Sequence, residues 1–312
     1  MSDCAPEEMC RYRPDGTLQG TWHDLACPDG MASYRVTCLE DSPGFVPAGA
    51  EAGGRVVLGG SGAYLRRVNG REVFADRTSA LLLRPGDELS VAHPLGCGDT
   101  YTVVEIRGLS RWTSDERWLG GPGWDGVVDD RIDLHHRGLL AAGARGIDGF
   151  EAAERTLRLV GAVIDAAHGD TGRDADELDR AVRRRPATEV AHRRLAYRAR
   201  EVLVEEGFTL GLTDLARRVA CSPHHLSRVF HRVTGQSLTA YRHRLRIQAV
   251  LDALTETGTD LRTIAAAYGF ADQAHLTRVV RQRLGSSPSA VRALLTETGT
   301  DVQRRAGAVP RP

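Results

Sequence analysis

The sequence contains no lysine, few aromatic residues and no long apolar run. All 41 basic residues are arginine, 41 acidic residues bring the formal net charge to zero, and aromatic residues make up 5% of the 312 residues. No apolar run approaches the roughly 18–20 residues that a membrane helix needs. The acidic N-terminus lacks the apolar segment of a secretory signal. We therefore expect a cytoplasmic protein without a membrane partner.

Metal-binding and catalytic motifs are also missing. The sequence has no Cys-x-x-Cys pair and no His-x-His pair, so we expect no metal site, no cofactor and no catalytic residue. The six cysteines are most simply interpreted as small buried hydrophobic residues. An open alternative is a thiol- or metal-based sensor that uses Cys27, Cys38, Cys97 and His23. Together with His93, these four residues are the candidate effector-binding residues.

The zero net charge conceals two unlike regions. Residues 1–150 hold 15 arginines and 22 acidic residues, whereas residues 183–250 hold 14 arginines and 5 acidic residues. The length suffices for roughly two domains of about 150 residues each. Hydrophobic residues at 41% and charged residues at 26% exclude a chain that is disordered throughout. An acidic front and a basic back predict two different roles.

Short strand-like runs fill the first hundred residues. Arg55–Leu58 and Thr100–Ile106 are examples, and turn residues such as Asn69-Gly70 separate the runs. This pattern favours a small β-barrel or sandwich. The stretch Leu109–Asp130 has the composition of a loop.

From about residue 131 the apolar spacing becomes helical. It predicts an amphipathic helix over Phe150–His168 and a charged helix over Val190–Glu206. The first of these helices either supports a homodimer or packs on the rest of the chain. The spacing leaves both alternatives open.

One short string occurs twice in the second half. His225-Leu-Ser-Arg-Val229 reappears as His275-Leu-Thr-Arg-Val279. A short apolar-faced helix is predicted before each copy, over Thr213–Ala220 and over Leu261–Tyr268, and a tight turn follows it. Because helix, short turn and second helix form a helix-turn-helix, the sequence predicts two such units.

Each second helix has a capping residue at its start and a polar outer face. Ser222 precedes the first and Asp272 precedes the second. Arginine pairs with guanine, glutamine pairs with adenine, and serine or threonine bonds to bases or phosphates. The candidate DNA-binding residues of the first helix are His224, Ser227, Arg228, His231 and Arg232. Those of the second helix are Gln273, His275, Thr277, Arg278 and Arg281.

A predicted helix over Leu238–Thr255 joins the two units. A rigid spacer of this kind could hold two recognition helices about one DNA turn apart, ~34 Å. The candidate phosphate contacts on this helix are Arg242, Arg244 and Arg246. An ordinary solvated surface is the alternative for these three arginines.

The second unit contains the segment Ile264-Ala-Ala-Ala-Tyr-Gly-Phe-Ala-Asp-Gln-Ala-His-Leu-Thr-Arg278, followed by Leu284-Gly-Ser-Ser-Pro288 and Arg292. The first unit contains the segments Ser222–Phe230 and Thr234–Leu238. With these segments, of which the first is the most specific, residues ~190–295 resemble the DNA-binding domain of the AraC/XylS family of bacterial transcription regulators.

The resemblance implies an α+β architecture with two functional domains. A small cupin-like β-barrel for sensing or dimerisation would occupy residues 1–108, and a loop and helical linker residues 109–188. The all-α DNA-binding domain with two helix-turn-helix units would occupy residues 189–295, followed by a tail at 296–312.

The function implied by the resemblance is sequence-specific transcription regulation, with activation as the family tendency. Double-stranded DNA and RNA polymerase are the implied partners, and no enzymatic activity is expected. Three alternatives remain for the N-terminal domain: it binds a small-molecule effector, it only mediates homodimerisation, or it is a barrel enzyme fused to a DNA-binding domain.

Overall fold

The computed structural model describes residues 9–10, 20–26, 31–39, 42–50, 53–94, 99–106, 124–170, 186–256 and 258–296. Within these ranges, antiparallel strands occupy the first part of the chain and helices occupy the second. The α+β fold class predicted from the sequence is therefore confirmed.

The described strands form two antiparallel sheets. The strands are β1 (Met9–Cys10), β2 (Gly20–Ala26), β3 (Met31–Cys38), β4 (Val46–Ala50), β5 (Gly54–Ser61), β6 (Ala63–Val68), β7 (Arg71–Asp76), β8 (Ser79–Leu83), β9 (Glu88–Ala92), β10 (Thr100–Ile106) and β11 (Trp124–Val127). In the larger sheet the order is β1-β2-β3-β10-β5-β8-β11, and in the smaller it is β4-β9-β6-β7.

The two sheets form an open version of the predicted barrel. Among the described strands, no backbone ladder joins one sheet to the other. Side chains on one face of the larger sheet, such as Val57 and Leu81, point toward the smaller sheet across a cavity. Val56 and Leu82 point the opposite way and pack against helices. The alternation of a strand thus buries both faces of the larger sheet.

Two predictions about the sheet region can be compared with the structure, and one of them is wrong in part. The turn between β6 and β7 is formed by Asn69 (φ 48°) and Gly70 (φ 83°), as a two-residue hairpin with left-handed residues requires. The loop predicted over Leu109–Asp130 is wrong in part, because β11 lies within it and pairs with β8. All four residues of β11 are half-buried, so the strand carries no alternating hydrophobic signal.

Helices dominate the rest of the described chain. They are α1 (Asp130–Arg145), α2 (Gly149–Asp170), α3 (Pro186–Glu205), α4 (Leu212–Arg218), α5 (Pro223–Thr234), α6 (Leu238–Thr255), α7 (Leu261–Ala267), α8 (Gln273–Leu284) and α9 (Pro288–Thr296). Helix α6 has the predicted bounds. Within the described ranges, no helix has both the length and the apolar content needed to cross a membrane.

Helices α1 and α2 pack on the larger sheet. Ile132 of α1 and Leu159 of α2 share a buried core with Val56 and Leu82. The apolar face of the predicted Phe150–His168 helix therefore packs on the rest of the chain, as the second of the two alternatives predicts. Phe150, at the start of α2, is 82% exposed.

A buried ion pair connects the helical region to the smaller sheet. The guanidinium of Arg200, on α3, donates to the Asp76 carboxylate at the end of β7, and the Tyr241 hydroxyl of α6 donates to the same carboxylate. Burial alone would raise the pKa of Asp76, but Arg200 and these hydrogen bonds hold that pKa below its ordinary value. The helical half of the chain is thus fixed to the smaller sheet through a fully enclosed carboxylate.

Candidate nucleic-acid interface

The first helix-turn-helix unit consists of α4 and α5. The Ser222 side chain accepts a hydrogen bond from the backbone N–H of His225, and Pro223 occupies the first helical position. Both features satisfy or remove donors that a helix start leaves unpaired. Leu226 and Phe230 of α5 pack into a buried core with Leu215 of α4. The core fixes the angle of α5 and leaves its opposite face outside.

The second unit consists of α7 and α8 and repeats this arrangement. The Asp272 carboxylate accepts from the backbone N–H of His275. Gly269 adopts the left-handed conformation in the turn, with φ 70°. Leu276 and Val280 are buried against Ile264 of α7. The two units predicted from the repeated string are therefore present, each with a capped second helix.

The candidate residues on α5 share one solvent-facing side of that helix. All five are exposed: His224, Ser227, Arg228, His231 and Arg232. The neighbouring Leu226, Val229 and Phe230 are buried. Arg232 lies 3.5 Å from His192 of α3, measured from Nη1 to Nδ1. The face combines positive charge with short polar groups, which suits the edges and phosphates of DNA.

The candidate residues on α8 are not all exposed to solvent. Gln273, Arg278 and Arg281 are exposed, whereas Thr277 is half-buried. These four side chains border one shallow surface depression together with Ala274. His275 is half-buried and is used locally, because its Nδ1 accepts from the backbone N–H of Ala271. Its ring also meets that of Phe270 edge-on at 5.5 Å.

The three candidate phosphate contacts on α6 are half-buried and have protein partners. Arg242 donates from Nε to the Phe208 carbonyl, and Arg244 donates from Nη1 to the Gln236 side chain. Arg246 donates to the Tyr268 carbonyl, and its guanidinium lies 3.7 Å from the centre of the Phe270 ring. Arg246 therefore braces the turn of the second unit. Contact of these arginines with phosphate stays a prediction.

The N-terminal candidates are brought together only in part. Cys38 and His93 are both buried and lie 3.4 Å apart, from Sγ to Nε2. His23 lies in β2, but its side chain is outside the described set, and Cys27 and Cys97 lie outside the described residues. Asp99, which the sequence analysis did not select, approaches within 3.0 Å of His93 Nε2. Burial opposes charge on His93, but Asp99 and Cys38 raise its pKa to about 10.

The helical region is similar to domains of known proteins. A family model described as a helix-turn-helix domain matches residues 215–294. The arabinose operon regulatory protein of Escherichia coli K12 is 33% identical over 91 residues, which cover 29% of this chain and 31% of that protein. Residues 215–294 are an AraC-type helix-turn-helix domain. The domain includes both units described above, together with α6 between them.

Two further relatives match segments of similar length at similar identity. The HTH-type transcriptional regulator Rv1931c of Mycobacterium tuberculosis is 37% identical over 79 residues, which cover 25% of this chain and 30% of that protein. The HTH-type transcriptional activator AarP of Providencia stuartii is 34% identical over 90 residues, covering 29% of this chain and 65% of that protein. The first two relatives are thus matched over about a third of their own length.

A solved structure aligns over a longer part of the chain, but only weakly. ToxT from Vibrio cholerae O395 covers 86% of this chain and 98% of its own, at 12% identity and a TM-score of 0.33. A likeness at this level decides nothing about the N-terminal sheets.

Proposed function

We propose that this protein is a sequence-specific DNA-binding transcription regulator that acts in the cytoplasm and has no enzymatic activity. The observation that carries the proposal is the pair of capped second helices, α5 and α8, with exposed arginines and polar side chains inside an AraC-type domain. In helix-turn-helix proteins the second helix enters the major groove. The affinity would come largely from phosphate contacts and the specificity from base contacts.

The division of labour along the chain is part of the proposal. Residues 189–295 would bind DNA, and residues 1–108 would sense a signal or mediate dimerisation, joined by 109–188. The buried Asp76–Arg200 ion pair supports communication between these parts, since a change at the smaller sheet reaches α3 directly. Activation through RNA polymerase is proposed because the matched relative from Providencia stuartii is named a transcriptional activator.

The test begins with genome-wide mapping of the sites that the protein occupies in its own organism. A DNA duplex carrying the strongest site is then labelled, and binding of the purified full-length chain is followed by fluorescence anisotropy. We expect the binding constant to fall steeply as salt rises, because each neutralised phosphate releases condensed counterions. Binding that is independent of salt, or no preference for the mapped duplex over a scrambled one, would refute the proposal.

A matched control separates the recognition faces from general surface charge. Arg158, on α2, is exposed and pairs with Glu154 one turn away. Arg158→Ala removes the same charge as an arginine substitution on α5 or α8, but lies outside both units. We expect its binding curve and its salt dependence to equal those of the wild type.

A further inference from the structure

The cavity between the two sheets contains a cluster of three buried side chains that differ in chemistry. Cys38 ends β3, His93 follows β9 and Asp99 precedes β10. Their exposed fractions are 1%, 2% and 3%. One ligand atom from each residue, the thiol sulfur, an imidazole nitrogen and a carboxylate oxygen, lies within 4.8 Å of the others. Side chains from three chain segments thus converge on one point.

Several polar atoms of His93 and Asp99 have no hydrogen-bond partner among the described residues. Both carboxylate oxygens of Asp99 and Nδ1 of His93 are buried without a hydrogen-bond partner among the described residues. His93 Nε2 approaches an Asp99 oxygen to 3.0 Å, as an ion pair would if His93 is protonated. Burial of a carboxylate without hydrogen bonds is costly, so the site calls for a positive charge, which either a protonated His93 or a bound metal ion would supply.

The backbone around the cluster is built to hold these positions. The N–H of Cys38 donates to the carbonyl of Asp99, at 2.9 Å, so the end of β3 is fixed against Asp99. Gly62 has φ 73°, and a Cβ there would lie 2.8 Å from the Cβ of Asp99. The ring of Tyr64 stacks on that of His93 with centroids 5.8 Å apart. The three ligand groups are therefore placed by the fold.

We propose that Cys38, His93 and Asp99 bind a divalent transition-metal ion of the zinc type. A tetrahedral site with bonds of about 2.0–2.3 Å separates its ligand atoms by roughly 3.3–3.6 Å. The observed separations from His93 Nε2, 3.4 Å to the Cys38 sulfur and 3.0 Å to the Asp99 oxygen, lie close to that range. A thiolate and an imidazole favour zinc or a similar ion, whereas magnesium and calcium prefer oxygen ligands throughout.

The three ligands among the described residues leave a fourth position of a tetrahedral site, and all three of them line the cavity. The cavity has a volume of about 50 Å³ and is lined by Tyr64, Tyr101 and apolar side chains such as Val36 and Val91. A buried water needs roughly 10–15 Å³ of such space, so the cavity accommodates only a few waters. We assign the fourth position to water or another small ligand. The site does not depend on the proposed DNA-binding function.

The test uses the full-length chain, purified under reducing conditions and freed of metal by a chelator. Co²⁺ is added first, because a thiolate ligand gives a near-ultraviolet charge-transfer band and a tetrahedral site gives strong visible absorption. We expect one equivalent of Co²⁺ to bind and Zn²⁺ to displace it. Absence of both bands, with the chain folded by circular dichroism, would overturn the proposal and leave a metal-free histidine–aspartate pair.

Matched variants locate the site. Cys38→Ser should abolish the charge-transfer band, and Asp99→Asn should weaken binding by at least about 100-fold, since even outer-shell changes cost 10–100-fold. Cys221→Ser, in the first helix-turn-helix, is the control and should bind as the wild type does. A charge-transfer band retained in Cys38→Ser would assign the metal to another thiol and overturn the proposal.

A second measurement covers the case in which Cys38→Ser fails to fold. Asp99→Asn preserves the volume of the side chain, so it should retain the fold. Zn²⁺ should raise the melting temperature of the wild type and of Cys221→Ser, because it binds the folded state, and should raise that of Asp99→Asn much less at the same concentration. An equal rise in all three proteins would contradict the assigned ligands.

Discussion

The two helix-turn-helix units have the same arrangement of helices, each with a capped second helix, but they are attached to the rest of the protein differently. The first unit is held through α3 and α6, whose Arg200 and Tyr241 converge on the enclosed Asp76. The second contacts α1 through Leu134, which packs against its core, and through an ion pair nearer the surface. That pair joins Arg283 of α8, whose side chain is 39% exposed, to Asp130 of α1, whose side chain is 9% exposed.

The contrast teaches where the rigidity of the DNA-binding region originates. An ion pair shielded from water keeps its strength and makes the loss of one partner costly. A pair with one exposed partner contributes less, because water and salt partly screen it. We therefore expect the first unit to be held rigidly relative to the sheets, and the second to be attached more weakly to α1.

The largest effect should follow from breaking the buried pair. Arg200→Ala leaves Asp76 enclosed without its guanidinium, and we expect it to destabilise the folded chain by about 3–5 kcal/mol. Urea unfolding followed by circular dichroism measures the change. The control is Asp252→Asn, which removes a half-exposed carboxylate that pairs with Arg77 and Arg137. Its cost should be about 1 kcal/mol or less, and equal losses in both variants would remove the contrast.

The same pair predicts a pH dependence with a definite sign. The pKa of Asp76 is lowered in the folded protein, whereas an unfolded aspartate titrates near a pKa of about 3.9. Its contribution is therefore complete above about pH 4 and is lost as the pH falls through the folded pKa. The stability difference between the wild type and Asp76→Asn should shrink below about pH 4. A difference that stays constant down to about pH 2 would contradict the assigned shift.

The second effect concerns DNA binding and compares equivalent arginines of the two units. Arg228→Ala and Arg278→Ala should each weaken specific binding by ~1–3 kcal/mol, because each residue lies on the exposed face of its second helix. Anisotropy titrations and footprints on the mapped duplex measure both. Each substitution should change the footprint in a different half of the site. Unchanged footprints in both variants would disprove the assigned faces.

A smaller effect is expected at the helix caps. Ser222→Ala and Asp272→Ala each remove a side-chain acceptor for a backbone N–H of the second helix. We expect each to cost about 1 kcal/mol of folding free energy. Thermal unfolding measures the loss. Thr239→Ala, at an exposed position in the first turn of α6, is the control for removal of a hydroxyl that caps no helix, and a loss as large as that of Ser222→Ala would count against the caps.

The smallest effects should have opposite signs in the two turns. Ala220 adopts φ 56° where the second unit has Gly269 at φ 70°. A left-handed conformation costs an L-residue roughly 1–2 kcal/mol. Glycine avoids this strain but loses more conformational entropy on folding, so the net gain in stability is smaller than the strain. Ala220→Gly should therefore stabilise the first unit by about 0.5–1 kcal/mol.

The reverse change tests the same difference in the second turn. Gly269→Ala should destabilise by a similar amount, because the nearest atom to the added Cβ, Arg246 Nη2, lies 3.7 Å away and leaves backbone strain as the main cost. Thermal unfolding of both variants gives the signs. Two changes of the same sign would show that the turns do not differ in strain.

Much of the helical region could be predicted from the sequence because its signals are local. The repeated string, the caps at Ser222 and Asp272 and the apolar spacing all act within one or two helical turns. The predicted bounds of α6 are those that the structure shows. The strand β11 could not be predicted, because its residues gain their order from pairing with β8, which lies far earlier in the chain.

Only two members of the cluster of Cys38, His93 and Asp99 could be selected from the sequence, for a similar reason. Cys38 and His93 are selected by residue type, but Asp99 resembles any aspartate before a strand. Sequence spacing cannot reveal that β3, β9 and β10 bring these residues to one cavity. The buried partners of Asp76 escape sequence reasoning as well, since 124 positions separate it from Arg200.

By itself, the sequence determined the two capped helix-turn-helix units and the concentration of arginine around the first of them. The absence of lysine means that every basic contact to DNA would be a guanidinium, whose planar fork suits phosphate and guanine. Only the tertiary structure decided that the barrel is two open sheets, that Asp76 fixes the helical region and that Cys38, His93 and Asp99 meet. Local signals specify helices and turns, whereas enclosed charges depend on contacts between residues far apart in the chain.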